Sequence, residues 1–146
     1  MQITEEFIQP LPSSTILVLR EERGFPEVLM VLRKKNTSFG ASYVFPGGLV
    51  EKSDTTEEEE LNPKEKELFN KRMDVNEGGF AYYSAAIREL FEEAGILLCK
   101  DKNGNYPDRI NLDKYRRDLN SGVLNWNQFL SDHRFYMDVG NLIYFS

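Results

Sequence analysis

The stretch Arg88-Glu89-Leu90-Phe91-Glu92-Glu93-Ala94-Gly95-Ile96 sets three carboxylates within five positions, immediately ahead of a glycine. It closes a longer run, "FAYYSAAIRELFEEAG" (residues 80–95), with apolar residues at helical spacing and a glycine as its natural stop. At about 100° per residue, Glu89, Glu92 and Glu93 fall in one narrow arc, while Ile87, Leu90, Phe91 and Ala94 cluster opposite. The predicted helix offers one face to a core and one face of concentrated negative charge. Like charges at this spacing repel, and acidic groups near a helix carboxy terminus oppose its dipole. Local self-disfavour of this kind marks a candidate functional site. Carboxylates without Cys or His beside them suit a hard divalent cation such as Mg2+, which prefers oxygen ligands and keeps waters for substrate phosphates. Read alone, the helix fits a second account equally well, in which the glutamates solvate an exposed surface and Arg88 and Glu92 form an ordinary i,i+4 pair.

The rest of the chain narrows the setting. Its 146 residues and 40% hydrophobic content predict a single domain over 1–146 with a real core, and alternating helical and strand-like patterns predict an α/β or α+β fold. A net charge of −6 disfavours a nucleic-acid polymer or an anionic membrane as partner. The lone Cys99 forms no internal disulfide, and neither a secretory leader nor an apolar span is visible, so a cytoplasmic location is expected. "STILVLR" (Ser14–Arg20) and "VLMVLR" (Val28–Arg33) predict paired strands joined by a longish loop, and "YVFPGGLV" is an apolar step interrupted by Pro46, Gly47 and Gly48. Those glycines permit unusual turn geometry or close approach of a ligand or another strand. Residues 52–79 are mostly charged and predict a surface excursion, with a helix from Pro63 and Glu57–Glu60 as a solvated face. "ILLC" and "NLIYFS" are strand candidates, and "NLDKYRRDLNSG" and "LNWNQFLSDH" predict amphipathic helices.

The residues around the acidic helix decide between its two accounts. "YVFPGGLVEKSD" and "AIRELFEEAGILL" resemble the halves of the Nudix box, G-x5-E-x7-R-E-U-x-E-E-x-G-U, where U is a bulky aliphatic residue. Arg88, Glu89, Leu90, Glu92, Glu93, Gly95 and Ile96 each fall on a motif position, and the five fixed letters alone would coincide by chance on the order of once in a million starts. Gly48 fits the first half, Glu51 lies in its spacer, and Asp54 stands where the motif has its first glutamate. Residues 55–87 then replace a spacer of seven, which places a surface insertion at about 55–79. A box interrupted in this way, with its lead-in "LPSSTILVLRE", resembles the branch of peroxisomal acyl-coenzyme A diphosphatases and their bacterial relatives.

That resemblance implies a Nudix-type α/β/α sandwich with a mixed sheet, incomplete at the carboxy terminus because the chain stops inside its last strand candidate. An edge exposed there invites pairing with a second copy as a homodimer. It also implies metal-dependent hydrolysis of a small-molecule diphosphate, with coenzyme A or an acyl-coenzyme A as one candidate. Glu92 and Glu93 would bind Mg2+ or Mn2+, and Glu89 would be a further ligand or the base acting on the attacking water. Arg88 would orient the glutamates from behind, its alternative being the plain helical pair. Gly48 would bring its carbonyl to the metal, whereas Gly47 serves turn geometry. Glu51 and Asp54 stay divided between an outer contact to the metal and surface loop. Arg33, Lys34 and Lys35 form a basic group for the remaining phosphates, against the alternative of ordinary surface charge; the second arginine of the bacterial coenzyme A signature is missing between Arg33 and Gly40. His133 is expected at the surface and Cys99 buried, with Trp126 and Phe129 packing a helix. A reading from another class also stands, a Nudix-like scaffold that binds a nucleotide-like ligand or a protein without turnover.

Overall fold

The computed structural model describes residues 10–33, 41–107 and 111–145. Among the described residues are eight short strands and four α-helices. They are β1 (Ser13–Thr15), β2 (Leu19–Glu22), β3 (Phe25–Val28), β4 (Val31–Arg33), β5 (Ser42–Val44), β6 (Gly47–Leu49), α1 (Pro63–Met73), α2 (Gly79–Ala94), β7 (Cys99–Lys100), α3 (Leu112–Asn120), α4 (Trp126–His133) and β8 (Tyr136–Met137). The ladders are antiparallel among the described residues and join β1 to β6, β2 to β3, β4 to β5 and β7 to β8.

The sixteen-residue α2 is the hub of the packing. Ile87 and Phe91 join Cys99, Trp126, Phe129 and Leu130 in one buried cluster, Ala86 and Leu90 meet Ile16 in a second, and Phe80 and Tyr83 meet Phe69 in a third. A helix apolar on several sides is covered on several sides, and α2 is enclosed accordingly. It stops where the sequence predicts: Gly95 takes φ 74°, and its N–H bonds Phe91 O at 2.9 Å. An αL residue closing the last turn is ordinarily glycine because a Cβ is strained there.

Elsewhere the structure sharpens or corrects the sequence reading. The first hairpin is tighter than predicted, since Arg23 and Gly24 alone make its turn, both at positive φ as a two-residue primed turn requires. Gly47 and Gly48 are not turn residues at all. Both lie in β6 paired with β1, and a Cβ on Gly47 would sit 2.8 Å from Thr15 Cα, so the glycine permits strand contact. "ILLC" becomes a strand only at Cys99, and its partner is Tyr136–Met137, too short to leave a periodic signature. "NLIYFS" is not a strand over its described residues: Leu142 N–H bonds Val139 O and closes a 3₁₀ turn, while Ile143 and Phe145 find no neighbouring strand and stand exposed. His133 is not a simple surface imidazole, for it packs half-buried against Tyr115, Phe129 and Phe135. Cys99, Trp126 and Phe129 are buried as expected.

The charged excursion is anchored at several points. Helix α1 starts at Pro63 behind Asn62, whose side chain accepts from the N–H groups of Lys64 and Glu65. Its Asn70 in turn accepts from Gly79 N–H at 2.8 Å, supplying a partner at the start of α2. Ahead of α1, Lys52–Glu60 form a nine-residue 3₁₀ segment, longer than that geometry usually sustains. Its Glu59 and Glu60 are exposed as expected, but Glu57 is half-buried, and burial together with Glu60 pushes the Glu57 carboxyl up to about 7. An acid whose folded pKa is raised keeps its proton between pH 4.5 and about 7 while the unfolded chain has lost it, so its contribution to stability falls across that window. Glu57→Gln is expected to leave stability unchanged at pH 4 and raise it by roughly 2 kcal/mol at pH 8, allowing for partial exposure. Urea unfolding at the two pH values checks this; equal effects at both would sink it.

Candidate functional site: an acidic cluster ordered by a buried arginine

Strand β6 and the 3₁₀ segment that follows it closely in sequence meet one face of α2. Strand β6 passes so close that a Cβ on Gly48 would lie 2.5 Å from Glu89 Cδ. From the strand's neighbouring position, Gly47 N–H donates to Glu93 Oε2 at 3.1 Å. The 3₁₀ segment closes the third side through Asp54, which is fully buried.

Arg88 organises this junction. Its side chain is 2% exposed, yet each of its five N–H donors has an acceptor. Nε and Nη2 hold Asp54 Oδ1 and Oδ2, both at 3.0 Å, in a two-toothed pair. The second Nη2 proton reaches Leu49 O at 2.9 Å, and Nη1 serves Glu89 Oε1 at 2.8 Å and Glu92 Oε2 at 3.4 Å. Asp54 is held in turn by Ser84 Oγ and by Glu51 N–H, at 3.2 and 2.8 Å. Such an arrangement exceeds the plain i,i+4 pair, and Asp54 is neither surface loop nor free to act as a ligand.

The charges do not balance. Burial alone would lower the Arg88 pKa, but its bond to Asp54 and then the charges of Asp54, Glu89 and Glu92 outweigh that and hold it above the usual range. For Glu92, burial pushes the carboxyl up to about 6, with Arg88 opposing and Glu89 and Glu51 adding to the rise. Burial likewise raises Glu89 in spite of Arg88, helped by Glu93 and Glu51. Among the described residues, a single guanidinium already committed to Asp54 therefore leaves Glu89, Glu92 and Glu93 short of positive charge. The glutamates are not the solvated surface of the alternative account: the Glu89 side chain is 14% exposed and that of Glu92 is 20%.

An all-oxygen donor set of this charge fits a hard divalent cation. In the present rotamers Glu89 and Glu92 turn toward Nη1, and among the described residues no three acidic, His or Cys side chains are arranged around one ion. A cation held here would share Glu89 and Glu92 with Arg88 Nη1. Gly48→Ala tests how tightly the strand packs on them: its methyl displaces Glu89, and a loss of divalent-cation binding of about tenfold or more, followed by calorimetry, is expected. Unchanged binding would show that the close approach is incidental.

Of the other sequence candidates, Arg33 ends β4, exposed and paired with Ser42; Lys34 and Lys35 lie outside the described residues. Among the described residues no hydrogen bond or ion pair ties Arg33 to the glutamates. Two surface concavities, of about 340 and 640 Å3, lie on α3 and beside the 101–107 loop, and neither is lined by the glutamates. Sequence reasoning missed Ser84, which carries no motif signal. It left Asp54 undecided although its motif position pointed there. No helix among the described residues is long and apolar enough to cross a membrane.

Comparison with known proteins agrees with this architecture. The crystal structure of a NUDIX hydrolase from Alicyclobacillus acidocaldarius superposes with a TM-score of 0.68 at 25% identity. The match covers 91% of this chain and 59% of that one, so the chain spans well under two thirds of its neighbour's length. No family model and no curated protein matches the sequence. The chain has the α/β fold of a Nudix hydrolase.

Proposed function

We propose that the chain is a divalent-cation-dependent hydrolase of diphosphate linkages in nucleoside diphosphate-X compounds. The observation that carries this reading is the uncompensated carboxylate cluster of Glu89, Glu92 and Glu93 under the double-glycine strand, on a fold shared with a Nudix hydrolase. A Mg2+ or Mn2+ ion held by these side chains, with the Gly48 carbonyl as a further donor, would supply charge neutralisation for the diphosphate oxygens.

The chain's own residues account for the remainder. Arg88 sets the orientation of Glu89 and Glu92 while Asp54 occupies two of its donors. Burial makes Glu89 and Glu92 stronger bases than ordinary carboxylates, which suits either to take the proton of a water attacking phosphorus as the bridging P–O bond breaks. Arg33, with Lys34 and Lys35 following it in sequence, is the candidate contact for the substrate's remaining phosphates, and coenzyme A is one substrate to try.

Incubation with Mg2+ or Mn2+ and a panel of coenzyme A, ADP-ribose, NADH and dinucleoside polyphosphates tests the proposal. Two phosphorylated products, absent with Glu92→Gln, support it. Tight binding of one of these compounds with no products and no need of a cation would instead favour a scaffold.

A further inference from the structure

We propose that Arg116 and Asn120 of α3 are positioning residues that lock the last turn of α2 and thereby set the divalent-cation affinity of Glu92 and Glu93. The inference rests on the cation reading of the cluster given above.

The last carbonyls of a helix have no partner within it, and its final turn frays unless they find one outside. Glu92 and Glu93 occupy that final turn of α2. Phe91 O is taken by Gly95 N–H, and the next two carbonyls are those of the glutamates themselves. Arg116 reaches across from the next helix and takes both: Nε donates to Glu92 O at 2.7 Å and Nη2 donates to Glu93 O. Asn120 Nδ2, one turn further along α3, donates to Glu92 O at 3.1 Å and to Arg116 O at 2.8 Å, tying the guanidinium's own backbone into the contact. The approach does not depend on residue 95 lacking a side chain, since a Cβ there would stand 3.7 Å from Arg116 Cδ, an ordinary contact.

The contact has both an electrostatic and a geometric consequence. A cation at a helix carboxy terminus offsets the dipole, and here it also offsets the repulsion that three glutamates bring to the same turn. A planar fork on two consecutive carbonyls fixes two consecutive peptide planes, a constraint that a single ammonium does not reproduce. Those planes adjoin Glu93, whose carboxylate accepts from Gly47 N–H, and Glu92, whose carboxylate accepts from Arg88 Nη1. Without the clamp the turn loosens, and each carboxylate must then be ordered at the moment a cation binds.

Two readouts test this on the full chain. Amide hydrogen exchange without metal at Glu92–Gly95 reports the clamp, and Mn2+ affinity from electron paramagnetic resonance titration reports its consequence. Arg116→Met is expected to accelerate exchange at that turn and to weaken Mn2+ binding by about tenfold or more, as loss of a group supporting metal ligands typically does. Arg116→Lys should restore only part of the affinity. Arg117→Met, the same change of charge at the exposed neighbouring position, should shift it less than about threefold, the effect of long-range charge alone. If Arg116→Met fails to fold, Asn120→Ala serves, with expected effects in the same direction and about threefold in affinity. Equal losses from the Arg116 and Arg117 variants, or faster exchange with unchanged Mn2+ affinity, would overturn the proposal. A wild-type chain that binds no Mn2+ while the exchange difference persists would overturn the cation reading and leave the clamp a purely structural contact.

Discussion

Asp54→Ala is expected to destabilise the fold by about 3–5 kcal/mol, because it strands a buried guanidinium rather than merely removing a bond. Arg88 is 2% exposed, and two of its five donors point at Asp54. Without that carboxylate, water is the only replacement, and the site has no opening for it while Ser84 and the 3₁₀ segment stay in place. The loss should appear as a Tm lower by roughly 10 °C or more. Asp54→Glu supplies a control with the charge kept: its extra methylene must fit a position with no exposure, at a cost of about 1–3 kcal/mol. Urea unfolding of both variants gives the ranking. An alanine variant within about 1 kcal/mol of wild type would mean that Arg88 is solvated, and the support it gives Glu89 and Glu92 would fall with it.

Glu92→Gln carries the largest expected effect on activity. A carboxylate acting on the proton or the charge of the reacting group contributes on the order of 100- to 10,000-fold, and an isosteric amide removes that while keeping an oxygen for Arg88 Nη1. Stability should move the other way. Since the Glu92 carboxyl is held up to about 6, the folded chain retains its proton where the unfolded chain has lost it, so its contribution to stability declines from about pH 4.5 and is fully lost above about 6. The amide avoids that decline, so the variant should gain about 1–2 kcal/mol at pH 8 and nothing at pH 4. Lower turnover with higher stability at alkaline pH is the signature of a site assembled against its own electrostatics. Equal turnover in variant and wild type would end the catalytic reading of the cluster.

Much of the framework was legible in the residues. Helix α2, its Gly95 stop, α1 behind Pro63 and the helices from Leu112 and Trp126 all announce themselves through spacing and caps, which act over a few residues and are written contiguously. Strand β8 and the end of "NLIYFS" were not legible. A two-residue strand has no period, and an apolar run becomes a strand only if a partner edge is within reach.

The site divides along the same line. From sequence alone came the identity of the acidic residues, their common side of α2 and the Nudix-like spacing that links them to Gly48. The placement of charge between elements needed the folded chain: Asp54 lies 34 residues from Arg88 and Arg116 lies 24 from Glu92, distances over which no pattern reports a contact. Burial was decided there too. A helical wheel assigns Glu89 and Glu92 to a polar side, but only the strand and the 3₁₀ segment that close over that side determine how far they are taken from water. That desolvation, rather than the mere presence of carboxylates, is what raises their affinity for protons and leaves the cluster short of positive charge.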